Sequence, residues 1–369
     1  MKKILASVLA ASVLALSMAG CGSPASSSAS SGAAVPAAGT ASAGTASAAS
    51  NSAKKLRVAL VYSGNLGDKS FNDSAHAGAL KAEKDFGVEV KELESTQSSE
   101  WESNFVACAS DGYDLVIGVS SQFEDIMKKH CPQYPNVKFA ILDDSIPGDN
   151  VISYKFAQNE GSFLAGAAAA MFTTKTDVPG INSQKVIGWV GGMDIPVLHD
   201  FFVGYEQGAK YIDPDVKVLQ SFAGSFSDPV KGKELTIAQY SQGADIVMNV
   251  ASGTGNGILE AAKDKGEFAI GVDSDQDSLY PGSIMTSMVK HVDVGTYSAI
   301  EAVVKGTYKG NSTTMLNVAN GGIQLTDMSV MKKALGDKFP SDILTKIQEI
   351  TGKIKSGEIK VNHYQGFTG

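Results

Sequence analysis

The sequence predicts an α/β protein built as two doubly wound parallel-sheet lobes with a ligand cleft between them. Three observations carry this expectation. From Lys54 onward, short β-branched runs alternate with segments of helical periodicity. The strand-like runs are apolar throughout, as parallel strands covered by helices on both faces are. The pattern also occurs twice: GYDLVIGVSSQFEDIMKKHCPQYPNVKFAILDDS aligns with GADIVMNVASGTGNGILEAAKDKGEFAIGVDSD. The alignment sets Gly112 against Gly243, Asp114 against Asp245, Phe139 against Phe268, and Asp144 against Asp273. A body of this length exceeds the size at which a single core usually splits.

The first segment is not part of that body. MKK is a basic start, ILASVLAASVLALSMAG an apolar and small-residue stretch, and Ala19 and Gly20 precede Cys21. This is the form of a signal peptide, residues 1–20, cut before a cysteine that is then lipidated, although Met18 stands where such boxes usually carry Leu. An uncleaved anchor and a secreted soluble protein are the alternatives. Residues 21–53 are almost all Ser, Ala, Gly and Thr, a composition that cannot bury a core. As a flexible coil they would reach roughly 30 Å, from about 5–6 Å times the square root of length.

In the body, LRVALVYS, VEVKEL, DLVIGVS and VKFAILDD read as strands, with helices at about 73–86, 99–110 and 123–130. EGSFLAGAAAAMFT reads as a helix whose small residues allow close packing. The pattern then restarts with KVIGWVGG, VKVLQSFAG, DIVMNVAS, EFAIGVDSD and SIMTSMVK as strands, and helices at about 197–211, 231–242, 256–265 and 292–305. One clear helix lies near 340–356. The expected organisation is 54–158 plus about 311–369 as lobe 1, the tail returning to complete it, and 159–310 as lobe 2.

Composition narrows the function. A net charge of −8 with no basic cluster argues against nucleic acid as a partner. Five histidines include none spaced with Cys or Glu as in a zinc site, so no metal is expected. With Cys21 assigned to lipid, Cys108 and Cys131 remain, either paired or as two buried thiols. No second apolar run is long enough to span a bilayer.

Ligands of open parallel sheets bind outside the carboxyl ends of the strands. The loops there carry Asp68, Phe71 and Asn72, then Ser120, Ser121 and Gln122, then Asp143 and Asp144. From the second lobe come Gly191–Asp194, Phe226 and Asp228, Ser252–Gly257, Asp273–Asp277 and Lys290. SGTGNG lacks the third glycine of a dinucleotide loop. DSDQDS has Ser278 where a calcium loop needs glycine, and no glutamate follows. Asp73 is expected to cap the helix it begins, and Asp275 and Asp277 to lie on the surface. No nucleophile elbow and no Ser/His/Asp or Cys/His order is in position, so an enzyme is not expected. A hydrolase using Asp143 and Asp273 is the rival of another class.

The motifs GDKSFNDSAHAG, EGSFLAGAAAAM, IGWVGGMDIPVLHDFFVGYEQGAKYIDPDVKV, GSFSDPVKGKELTIAQYSQGADIV, ASGTGNG and AIGVDSDQDSLYPGSIMTSMVK, in this order over Leu56–Gly310, resemble the basic membrane protein family. Its members are purine nucleoside receptor lipoproteins that deliver ligand to ABC transporters. The resemblance implies a type I periplasmic-binding fold, a nucleoside ligand, permease subunits as partners, no cofactor, a monomer, and a lipid anchor facing the extracellular or periplasmic side. It implies that Phe71 stacks on the base, with Asn72 and Asp68 bonding near it. Asp143, or Asp144, would accept from base N–H groups, Asp273 would accept ribose hydroxyls, and Lys290 would donate on the ribose side. Gly253 would let the backbone approach; Ser121 is a candidate from its place in the loop after the third strand. The second ring-stacking position falls to Phe226 or Met193. A sugar or autoinducer binder of the same fold is the remaining alternative.

Overall fold

The computed structural model describes residues 55–366; the signal segment, Cys21 and the tether lie outside the described residues. The first half runs β1 (Arg57–Tyr62), α1 (Phe71–Phe86), β2 (Glu89–Glu94), α2 (Ser98–Ser110), β3 (Leu115–Val119), α3 (Glu124–His130), β4 (Lys138–Leu142) and β5 (Val151–Phe156). The second runs α4 (Gln158–Phe172), β6 (Val186–Gly191), α5 (Pro196–Ile212), β7 (Lys217–Phe222), α6 (Pro229–Ser241), β8 (Ala244–Val250), α7 (Gly255–Lys265), β9 (Phe268–Asp273) and β10 (Ile284–Lys290). The chain closes with α8 (Val292–Val304), β11 (Ser312–Leu316), β12 (Ile323–Leu325), α9 (Ser329–Leu335) and α10 (Asp342–Lys355).

Two six-stranded sheets result, in the orders β11-β5-β4-β3-β1-β2 and β12-β10-β9-β8-β6-β7. All pairs are parallel except β12 against β10. The central strands β3, β4, β8 and β9 are buried on both faces, which is why they read as unbroken apolar runs. The edge strands β2 and β7 alternate with exposed positions.

The chain crosses between lobes after β5, after β10 and between β11 and β12. This corrects two assignments at the sequence level. The helix at 292–304, placed in lobe 2, packs against α1, β3 and β4 and belongs to lobe 1. The tail does not return whole to lobe 1: β11 extends the first sheet beside β5, whereas β12 pairs with β10 and α10 packs on α4. Periodicity reports that a helix has an apolar face and not which sheet that face covers. The stripe on α10, Ile343, Ile347, Ile350 and Ile354, is buried at helical spacing and is satisfied by α4. Strands β5, β11 and β12 were not read from the sequence.

The small-residue helix α4 lies against α5. A Cβ on Gly166 would stand 1.9 Å from Tyr205 O, and one on Gly204 2.1 Å from Asn159 O, so only glycine permits this approach. Cys108 and Cys131 are both free and buried, and burial raises their thiols to about 11 and about 12. The described residues contain no helix long and apolar enough to cross a membrane.

Candidate functional site

The loop between β1 and α1 is folded by its own carboxylates. Asp68 Oδ1 accepts from Ser70 N at 2.9 Å and Asp73 N at 3.1 Å, and Oδ2 accepts from Asn72 N at 2.9 Å. These are the orphan donors of the first turn of α1, so Asp68 supplies the N-terminal cap. Asp73 instead reaches back to Gly67 N at 2.7 Å and Lys69 N at 2.8 Å, closing the loop. The capping role expected of Asp73 thus belongs to Asp68. The exchange is physical: the loop doubles back, bringing a residue three places before the helix under its free amides.

The same loop binds the other lobe. Ser252 Oγ donates to Asp68 Oδ2 at 2.6 Å, Ser70 Oγ to Asp273 Oδ2 at 2.5 Å, Gln276 Nε2 to Lys69 O at 2.9 Å, and Ser274 Oγ to Ser70 O at 3.2 Å. Lys290, from β10, places Nζ 2.6 Å from Asp143 Oδ1 at the end of β4. Its ammonium also lies over three rings, Phe71 at 5.3 Å and Phe156 and Phe201 at 5.0 Å each. A lysine only 1 % exposed is tolerable because its charge meets a carboxylate and aromatic faces together.

Between the lobes lies a cavity of about 570 Å³. Asp68, Phe71, Asn72, Ser121, Asp143, Met193, Phe226, Gly253, Asp273 and Lys290 all stand on its wall. Asp144 does not; its carboxylate turns to Ser145 N at 2.7 Å. The internal repeat paired Asp144 with Asp273, but the ladders give another equivalence. Leu115 pairs with Lys138 as Ile246 pairs with Phe268, so Asp143 is the counterpart of Asp273. Both adopt left-handed backbone, φ 71° and 64°, which Asp tolerates better than most side chains. Asp277, expected at the surface, is 2 % exposed and accepts from Ser287 Oγ at 2.6 Å and Thr326 Oγ1 at 2.7 Å.

Burial dominates the electrostatics. It pushes the Asp273 carboxyl up to about 7, opposed by the Lys290 charge and the Ser70 hydroxyl. Asp143 is raised by burial against the pull of Lys290. Asp68 is also raised by burial, with the Ser252 hydroxyl and three backbone amides opposing. Phe226 packs its ring on Gly192, and its carbonyl accepts from Thr254 N at 3.0 Å. Gly253 is tight here, since a Cβ would lie 3.1 Å from Phe226 O.

Two parts of the wall escaped the sequence reading. Gln97 and Trp101 come from the start of α2, and Leu198 and Phe201 from the start of α5. Trp101, Leu198 and Phe201 lie within helices and not in strand-end loops, and Gln97 is the residue that caps α2. An aromatic in the otherwise polar turn SSEWES was the one available signal for Trp101.

Comparison with known proteins agrees with this architecture. A family model described as Bmp, ABC transporter substrate-binding protein PnrA-like, matches residues 55–365. Basic membrane protein A of Borreliella afzelii is 31% identical, over 83% of this chain and 91% of that protein. A Pyrococcus abyssi protein named as an uncharacterized lipoprotein is 31% identical over 83% of this chain and 84% of its own. The crystal structure of an ABC transporter solute-binding protein from Aeropyrum pernix superposes with a TM-score of 0.76 at 30% identity, covering 84% of this chain and 94% of that one. The fold is therefore the two-lobed periplasmic-binding type, and the chain belongs to the Bmp family of PnrA-like ABC transporter substrate-binding proteins.

Proposed function

We propose that the interlobe cavity captures a nucleoside, of the purine class, and that the closed protein delivers it to an ABC transporter permease without making or breaking a bond. The observation that carries this reading is a single wall bearing the Phe71 ring beside two buried carboxylates, Asp143 and Asp273. A ring face suits a planar base, and a carboxylate accepts two donors from vicinal ribose hydroxyls. Asp273 keeps one oxygen for that task, since Ser70 occupies the other. Phe226 and Met193 supply apolar surface for the second face of the base. Asp68, with four donors already on its two oxygens, acts by shaping the loop that carries Phe71 and Asn72.

Because ligand touches both lobes, it binds the closed form preferentially and shifts the population toward it. Lipidation of Cys21 and the small-residue tether would hold the monomeric body at the outer face of a membrane, a placement supported by the relative named a lipoprotein. Calorimetric titration of the full chain with guanosine, inosine, adenosine, cytidine and ribose tests the ligand. Tight one-to-one binding of a purine nucleoside, recovered unchanged, is expected, and Phe71→Ala should weaken it by roughly 1–3 kcal/mol, the scale of one base-aromatic stack. Release of free base would establish a hydrolase instead, and ribose binding as tightly as nucleoside would remove the stacking role.

A further inference from the structure

After α10 the chain has no regular secondary structure over Lys360–Gly366, yet side chains of α4 and α5 hold it step by step. Gln207 Nε2 donates to Lys360 O at 3.1 Å, and its Oε1 accepts from Asn362 N at 2.8 Å. Asn159 Nδ2 donates to Val361 O at 3.3 Å and Asn362 O at 3.1 Å. Asp200 Oδ1 accepts from Tyr364 N at 3.0 Å and faces His363 Nδ1 at 3.1 Å. The Tyr364 ring stacks on His199, with centroids 4.7 Å apart.

Asp200 is 8 % exposed, and its other oxygen accepts from Gln158 Nε2 at 2.9 Å. Gln158 opens α4 directly after the first crossover between lobes. One buried carboxylate therefore joins the crossover, the tail and the beginning of α5. Its near neighbours on α5, Leu198 and Phe201, face the cavity, and Phe201 lies against the Lys290 ammonium. Asp143 responds to the charge as well: burial raises it most, and Asp200 adds to the rise. A buried carboxylate that loses a partner keeps its desolvation cost, so the three contacts hold one another in place.

We propose that Asp200 is a positioning residue for the ligand site, and that Lys360–Tyr364 is a strap that sets where the first turns of α5 present Leu198 and Phe201. Neither touches ligand. The ligand arm of the test rests on the nucleoside reading; the exchange arm does not. In the full chain, Asp200→Asn and a variant ending at Glu358 are compared with wild type. Without ligand, amide hydrogen exchange across Leu198–Phe201 is expected to speed up at least tenfold in both, with α1 and α8 unchanged. With guanosine, Kd is expected to rise tenfold or more through faster dissociation at a stoichiometry near one. A peptide of residues 359–366 added to the shortened chain should restore affinity. Unchanged exchange in α5 overturns the inference. So does a lower Tm with fewer competent sites of unaltered Kd, the mark of a role in stability alone. If wild type binds no nucleoside, the nucleoside reading fails and the exchange result decides the strap.

Discussion

At the residue scale the site depends on carboxylates doing different work in one small volume. Asp68 spends its lone pairs on amides and on Ser252, Asp143 answers Lys290, and Asp273 accepts from Ser70 through one of its two oxygens. Burial sets the Asp273 proton apart, with its carboxyl raised from 3.8 to about 7. A group raised on folding holds its proton more tightly in the folded state. Its contribution to stability is full below 3.8 and is lost as pH rises through about 7. On the nucleoside reading, ligand affinity runs the other way, because ribose hydroxyls would need the ionised acceptor. Nucleoside affinity should rise about tenfold from pH 6 to pH 8, as the ionised fraction does, and the rise should vanish in Asp273→Asn. Titration calorimetry across that range checks it, and a flat wild-type profile would remove Asp273 as the ribose acceptor. At this scale the sequence was half legible. Strand-end position identified Asp143, Asp273 and Lys290 as wall residues, but not which of Asp68 and Asp73 caps α1. That choice depended on the path of a loop, which residue types do not encode.

At the element scale, the segment Gly64–Ser70 ties the two lobes together by hydrogen bonds. Its hydroxyls, carbonyls and carboxylate meet Ser252, Asp273, Ser274 and Gln276 of the other lobe. Part of the lobe arrangement is thus held by protein hydrogen bonds, and on the proposed reading a bound nucleoside would add to them. Removing one such bond to a carboxylate costs about 1.5–3 kcal/mol. Ser252→Ala should therefore raise the nucleoside dissociation rate by roughly tenfold or more, with the association rate little changed, because closure follows encounter. Stopped-flow fluorescence using Trp101, which stands on the cavity wall, measures both rates. An unaltered dissociation rate would mean that this bond does not report on closure. Helix ends were read within a few residues from the sequence: the helix expected at 256–265 is Gly255–Lys265, and that at 99–110 is Ser98–Ser110. Strand β5, VISYKF, was missed although it is β-branched and buried, since no helix pattern separates it from β4.

At the scale of the molecule, three crossovers join two similar sheets beside one cavity, which the proposed ligand would bridge. Ligand at a hundred times its Kd should stabilise the folded chain by about 2.7 kcal/mol. Calorimetric melting with and without guanosine is expected to show both lobes shifting together. A shift confined to one of two transitions would mean that the ligand engages a single lobe. The sequence by itself determined the repeated α/β pattern, the apolar central strands and the strand-end polar residues, because each follows from local periodicity and from where parallel sheets leave their loops. The assignment of α8 to lobe 1, the division of the tail between sheets, the pairing of Lys290 with Asp143 and the entry of Trp101 and Phe201 into the wall were decided only by tertiary structure. These are contacts between residues far apart in the chain. They form where covering an apolar face or neutralising a buried charge is most favourable, and that is a property of the assembled lobes.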